Sequence, residues 1–327
     1  MRRSGADRGR QGEGATLELA PPDLSPWQSG NRGVPYVWTF EAAAAGPHVG
    51  LCALVHGNEF SGALALLRLV ELGLRPARGR LTLIFANPEA LAAFDPRDPW
   101  ASRFLDEDLN RLWSAAELDA PRRTRELARA RELRPIVDEL DALLDLHSMH
   151  APGPPLLLCA PVARARALAA RMGFPGLVIS CPGHESGARL IDYPRFVTGR
   201  DGPVALLLEA GRHWSRHSVE VAVAATLAFL DALGVLEPEL AARIVPRRRA
   251  AQRFVDITHT VTVRHAPFVF HRELRSFAVV EEEGTVIASD GGEPVRTPYP
   301  RCALVLPGRR FAPGTTAVRL GRFAAAP

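Results

Sequence analysis

His56 and Glu59 stand three residues apart in HVGLCALVHGNEF, where an apolar run gives way to a helical pattern. Side chains at that spacing on one turn share a side, and imidazole with carboxylate is a metal-ligating pair. Gly57 between them permits a sharp bend. His147 closes a second apolar run, ALLDLHS, and Asp145 is placed to orient that ring through its other nitrogen. Glu209 closes a third, LLLEAG. A carboxylate there is costly to bury without a partner or a task, and acting as a base beside a metal is one such task. In DLNR, Asp108 to Arg111, with Arg103 upstream, arginine and asparagine stand side by side. That pair can grip a carboxylate, the guanidinium through two bonds and the amide through another.

Taken singly, each of these residues has a plainer reading. H-x-x-E is common by chance, and a glutamate in a first helical turn is favoured by the helix dipole alone. His147 reads equally well as a satisfied core histidine. Glu209 reads as a helix cap or an arginine's partner, and DLNR as a turn with a surface arginine. Phe60 follows Glu59, so H-x-x-E-H is absent. The chain has four asparagines, and Asn58, Asn87 and Asn110 all fall in these segments, which favours function over coincidence.

The elements that must position these residues can be read from the hydrophobic pattern. HVGLCALVHG, RLTLIFANP, ALLDLHS, PLLLCA, GLVISCP and VALLLEAG are short, uniformly apolar runs of the kind found in strands buried on both faces. EFSGALALLRLVELG, residues 121–140, PVARARALAARMG and SVEVAVAATLAFLDALG are helical patterns between and after them, with Pro135 expected to kink or divide the second. The fold class is therefore α/β, a mixed, largely parallel sheet flanked by helices. After Gly234 the pattern changes to short strands broken by glycine and proline turns. The expected division is a disordered tail at 1–16, an α/β domain at 17–238, a linker at 239–251 and a small β domain at 252–327. In open sheets of this kind sites form at the carboxyl ends of strands, where His56, His147 and Glu209 fall.

Composition removes several alternatives. The 40 basic residues are all arginine, which excludes a lysine-dependent phosphate loop and a Schiff-base enzyme. A net charge of +4 and a pI near 9.2 raise the question of nucleic acid, but the arginines are interleaved with acids, as in RTRELARARELR. That is a solvated surface, and no nucleic-acid partner is expected. Cys52, Cys159, Cys181 and Cys302 have no C-x-x-C spacing and read as small buried hydrophobes in a reducing compartment. No run is long and apolar enough for a membrane span, and the polar, arginine-rich opening is unlike a secretory signal. A cytoplasmic location with no membrane partner is the expectation.

Jointly and in this order, H-G-N-E at 56–59, N-P-E-A at 87–90, R-F-L-D-E-D-L-N-R at 103–111, D-L-H at 145–147 and E-A-G at 209–211 are specific. The chain resembles the succinylglutamate desuccinylase and aspartoacylase family, relatives of the zinc carboxypeptidases. The resemblance covers the α/β part and extends to a C-terminal β domain of the right size. It implies one zinc ion per chain, held by His56, Glu59 and His147, with Glu209 as the general base. It also implies that Arg103 steadies the oxyanion and that Asn110 and Arg111 bind a substrate carboxylate. The family's further substrate arginine falls nearest Arg200, and its C-terminal tyrosine has only Tyr299 to match. His150 and His213 are expected to stand outside the donor set.

The implied reaction is hydrolysis of the amide (or ester) bond of a small N-acyl amino acid or related N-acyl amine. The substrate bears a carboxylate, and the oligomeric state is not legible. A zinc carboxypeptidase acting on peptides would use the same residues. So would a non-catalytic metal or small-molecule binding protein on this fold, although binding alone has no need of Glu209. A serine hydrolase fits poorly, because Gly183-His184-Glu185-Ser186-Gly187 is mis-spaced for G-x-S-x-G.

Overall fold

The apolar runs become strands buried along their whole length. In the computed structural model, which describes residues 17–237, 239, 251–309 and 311–327, β1 (Val37–Glu41) leads into β2 (His48–Ala53). There follow α1 (Ser61–Glu71), β3 (Arg80–Phe85), the short α2 (Pro88–Ala92), α3 (Ala115–Leu118) and α4 (Arg125–Asp138). Next come β4 (Ala142–Met149), β5 (Leu156–Cys159), α5 (Ala163–Met172), β6 (Leu177–Ser180), α6 (Pro194–Val197), β7 (Val204–Arg212) and α7 (Arg216–Ala232). The C-terminal part supplies β8 (Arg253–Thr262), β9 (Phe268–Phe270), β10 (Phe277–Val280), β11 (Val286–Asp290), β12 (Glu293–Arg296), β13 (Cys302–Val305) and β14 (Thr316–Ala324). The expected tail, 1–16, lies outside the described residues, as does most of the expected linker, 239–251.

Eleven strands form one mixed sheet in the order β1-β3-β2-β4-β7-β5-β6-β8-β14-β13-β10, and β12-β11-β9 form a separate small sheet. β3, β2, β4 and β7 are mutually parallel, and β5 runs antiparallel to β7. β8 pairs in parallel with β6, so the large sheet continues into the C-terminal residues. Successive side chains on a strand point to opposite faces. Leu144 and Leu206 accordingly pack in the core shared with α1, α5 and α7. Leu143 and Leu207 pack in the opposite core, with Leu127, Leu133 and Val137 of α4. Gly62 lets α1 lie close on the sheet, because a Cβ there would stand 2.7 Å from the Cβ of Leu146. All four cysteines are free and buried. Among the described residues no helix is long and apolar enough to cross a membrane.

Pro135 does not divide the helix that contains it. α4 runs unbroken to Asp138, with Pro135 in its last turn, where the helix forgoes the one bond from position 135 to the Arg131 carbonyl and only three helical residues follow. The first turn of α4 has a second task. Glu126 is 1% exposed, and its carboxylate accepts the backbone amides of Leu105, Asp106 and Glu107 at 2.7, 3.0 and 3.2 Å. It thereby fixes the 103–111 segment against the sheet. Replacing it by alanine leaves those donors unpaired. Glu126→Ala is expected to lower stability by about 2 kcal/mol or more, read as a fall in the urea midpoint with an unchanged slope.

A candidate metal centre at the carboxyl ends of three strands

β2, β4 and β7 are neighbours, and His147 stands directly opposite Glu209 in the β4–β7 register. His56 follows the end of β2. Leu54 takes a left-handed backbone, φ 62°, which costs an L residue roughly 1–2 kcal/mol and turns the chain out of the strand. Gly57 answers a close approach rather than the expected bend: a Cβ would lie 2.3 Å from the carbonyl carbon of Ala90. The segment it approaches is N-P-E-A. Asn87 caps α2 by accepting the Ala90 amide at 3.2 Å and donates to Glu126 at 3.1 Å. The motif thus holds the His56 turn in place without reaching the site itself.

His56, Glu59 and His147, each 3% exposed, offer donor atoms that all lie within 4.8 Å of one another. Glu59 sits between the imidazoles. Its Oε1 is 2.8 Å from His56 Nδ1, and its Oε2 is 3.0 Å from His147 Nδ1. The outer ring nitrogens are held from behind. His147 Nε2 lies 2.8 Å from Asp145 Oδ2, and His56 Nε2 lies 2.9 Å from Asp108 Oδ1. Each carboxylate thus fixes the tautomer that turns an Nδ1 lone pair toward the centre. His56 Nδ1 makes no hydrogen bond despite being buried, as befits a ligand atom. Two imidazoles and one carboxylate are the donor set of a catalytic zinc site, which keeps a position open. Burial opposes the charge on Glu59, but His56 and His147 outweigh it and hold its pKa well below the usual value.

Glu209 is the unpaired member. Its Oε2 is buried without a hydrogen-bond partner. Burial, reinforced by the negative charge of Glu59, pushes its pKa up to about 8. Glu209 and the donor set line one cavity of about 260 Å³, together with Arg103, Asn110 and Arg111. Arg103 bridges the ligand shell, with Nη1 2.7 Å from Glu59 and Nη2 3.6 Å from Asp108. Arg111 has only a long contact to Asp108, 3.9 Å, and donates to the carbonyl of Asn110. Burial and the neighbouring Arg103, Arg189 and Arg319 lower its pKa to about 10. Asn110 accepts the Leu190 amide at 2.8 Å, which ties the 103–111 segment to the strand β7 side of the site.

Arg200 is not brought to the site. It is exposed in the turn before β7, at the amino end of the strand whose carboxyl end carries Glu209. Tyr299 is also elsewhere, its hydroxyl 2.5 Å from Thr258 Oγ1. Arg189 and Arg319 line the cavity instead. Arg189 is paired with Asp192 at 2.6 Å. Arg319, on β14 and 9% exposed, has no carboxylate within ion-pair distance among the described residues. Its only sequence signal was an arginine inside an otherwise apolar strand, TAVRLGRF. His150 and His213 line the cavity without joining the donor set; His213 Nδ1 lies 2.7 Å from Ser148 Oγ.

Residues 45–174 match the family described as the succinylglutamate desuccinylase/aspartoacylase catalytic domain. That segment is 130 of the 327 residues and carries His56, Glu59 and His147. Solved structures share the fold. A succinylglutamate desuccinylase from Vibrio cholerae is 21% identical, with a TM-score of 0.66 over 88% of this chain and 85% of that one. One from Vibrio parahaemolyticus is 22% identical, with a TM-score of 0.64 over 86% and 82%. A succinylglutamate desuccinylase/aspartoacylase from Rhodobacter sphaeroides is 20% identical, with a TM-score of 0.63 over 89% of each. No curated protein matches the chain. The buried triad has the donor set to coordinate a divalent metal.

Two measurements test this centre. Asp145→Asn removes the carboxylate behind His147 and is expected to weaken zinc binding about 10–100-fold in a chelator competition, with the fold retained. For Glu209 the sign follows from its raised pKa. A carboxyl whose folded pKa is raised stays protonated in the folded protein while the unfolded chain ionises, so the cost to stability is absent below about pH 4.5 and grows up to about 8. In metal-stripped protein, Glu209→Gln should therefore raise the melting temperature progressively more from pH 5 to pH 8. A pH-independent difference would contradict it.

Proposed function

We propose that this protein is a zinc-dependent hydrolase that cleaves the amide bond of a small N-acyl amino acid or related N-acyl amine. The observation that carries the reading is Glu209, a carboxylate with an unpartnered oxygen, placed across the strand register from His147 and facing the same cavity as the donor set. Pure metal storage gives no reason to retain such a group. His56, Glu59 and His147 would hold one ion, which when bound supplies Lewis acidity for the carbonyl and makes water acidic enough to attack near neutral pH.

Glu209 takes the proton of the attacking water as the carbon–oxygen bond forms. It returns that proton to the nitrogen as the carbon–nitrogen bond breaks, leaving a carboxylic acid and a free amine. Burial suits it to both steps, because a carboxyl with its pKa near neutrality can accept and donate. Arg103 lies beside the donor set and presents its guanidinium to the developing oxyanion. Arg111, weakly compensated, is the group for the substrate's carboxylate, with Asn110 holding the segment that carries it. Leu306, Thr316 and Arg319 from the C-terminal strands also line the cavity, which supports small substrates over peptides.

Glu209→Ala is expected to lower kcat by at least about 10²-fold while zinc content stays near one per chain. His147→Ala should lose zinc and activity together. Activity within a few-fold of wild type in Glu209→Ala would remove the base from the mechanism. Equal zinc in wild type and His147→Ala would remove the metal site.

A further inference from the structure

A second cavity, of about 440 Å³, adjoins the site and is lined by Phe268, Phe270, Leu274 and Phe311. The three phenylalanine rings contact one another, with centroids 5.2, 5.2 and 5.4 Å apart. Phe268 is buried beneath, while Phe270, Leu274 and Phe311 are half-buried and leave apolar surface facing the cavity. His150, Ala151, Pro307 and Gly308 line both cavities, so the two share a rim.

The lining has one end at the shared rim, marked by His150, and one away from it, marked by His184, and arginines act on both. His184 lies in the field of Arg111, Arg319 and Arg189. His150 lies in that of Arg309 and Arg103, beside Glu59. A carboxylate held at the His184 end, with the scissile carbonyl at the donor set, directs the rest of the substrate toward His150 and the shared rim.

We propose that the Phe268–Phe270–Phe311 cavity is the acyl-group subsite and that the acyl group it takes is apolar, of phenylalkanoyl or medium-chain alkanoyl size. This deepens the hydrolase reading and rests on it for turnover, although not for binding. An apolar chain entering this cavity removes apolar surface from water on both partners, and of the charged residues in its lining Arg272 stands next to Glu273 in sequence, so the lining brings no net positive charge for a second carboxylate.

The test uses the zinc-loaded full chain. Hydrolysis is compared for N-(3-phenylpropanoyl), N-octanoyl, N-acetyl and N-succinyl forms of glycine and of glutamate. Binding of 3-phenylpropanoate, acetate and succinate is measured separately by calorimetry. The phenylpropanoyl or octanoyl substrates should have kcat/KM at least about tenfold above the acetyl and succinyl ones, the scale of a hydrophobic pocket's discrimination. Phe311→Trp narrows the cavity but keeps an aromatic ring on Phe268. It should erase that preference while leaving acetyl hydrolysis within about twofold, which also shows that the variant folds. Preference for acetyl or succinyl groups, or a preference unmoved in Phe311→Trp, overturns the proposal. No hydrolysis of any substrate, with Phe311-dependent binding of 3-phenylpropanoate, would sink the hydrolase reading and keep the subsite. No preferential binding of 3-phenylpropanoate sinks the subsite whatever the turnover.

Discussion

The whole centre depends on keeping the Glu59 carboxylate charged at 3% exposure. An isolated carboxylate at that depth would protonate. Here it is surrounded by His56, His147 and Arg103, and the Ser148 amide donates to it at 3.1 Å. Those groups come from the end of β2, the loop before α3 and the end of β4, so satisfying one charge fixes three separate segments. Asp108 and Asp145 extend the same logic outward, each fixing the ring that faces Glu59. A divalent ion placed among the three donors relieves the crowding of lone pairs that the protein alone leaves on His56 Nδ1.

Glu209 is the counterpart. The environment that keeps Glu59 ionised resists ionisation of Glu209, because a second negative charge beside Glu59 is unfavourable in a site poor in water. Two carboxyl groups lining one cavity, one in the turn after β2 and one on β7, are thus driven apart in pKa, one low and one high. Groups whose surroundings push their pKa values apart in this way are suited to different tasks, a charged one and a proton-exchanging one.

Much of this was legible in the sequence because strand ends are legible. Uniform apolar runs marked β2, β4 and β7, and the polar residue closing each run fell at the carboxyl edge of a parallel sheet, where sites form. His56, His147 and Glu209 stood out as candidates by that route, and Glu59 through its spacing from His56; their joint reading as a metal site came from the resemblance of the ordered motifs. Arg200 was misplaced because linear nearness to Glu209 takes no account of strand length: about thirty ångströms of extended chain separate the two ends of a nine-residue strand. Arg319 was missed because it reaches the site through long-range pairing of β14 with β8, which no local pattern announces. Glu126 was hidden among the many charges of RTRELARARELR, since a buried carboxylate and a solvated one look alike in sequence. The continuation of the large sheet through β6 and β8 was equally silent, because edge pairing between distant strands leaves no periodic trace.

That continuation bears on specificity. Because the C-terminal strands extend the same sheet, the residues they carry into the cavity are held by backbone pairing rather than by a loosely docked lid. Arg319 and Thr316 on β14, and Leu306 just after β13, stand at fixed distances from the donor set. In a chain where Tyr299 is turned away, a guanidinium from β14 occupies the C-terminal wall. A phenol offers one hydrogen bond, whereas a buried guanidinium offers charge and a fork of donors. Arg111 and Arg319 thus bring positive charge to the cavity from both halves of the chain. The aromatic cavity beyond the shared rim is lined by one arginine and one glutamate, Arg272 and Glu273, among apolar side chains. A substrate polar at one end and apolar at the other satisfies both walls at once.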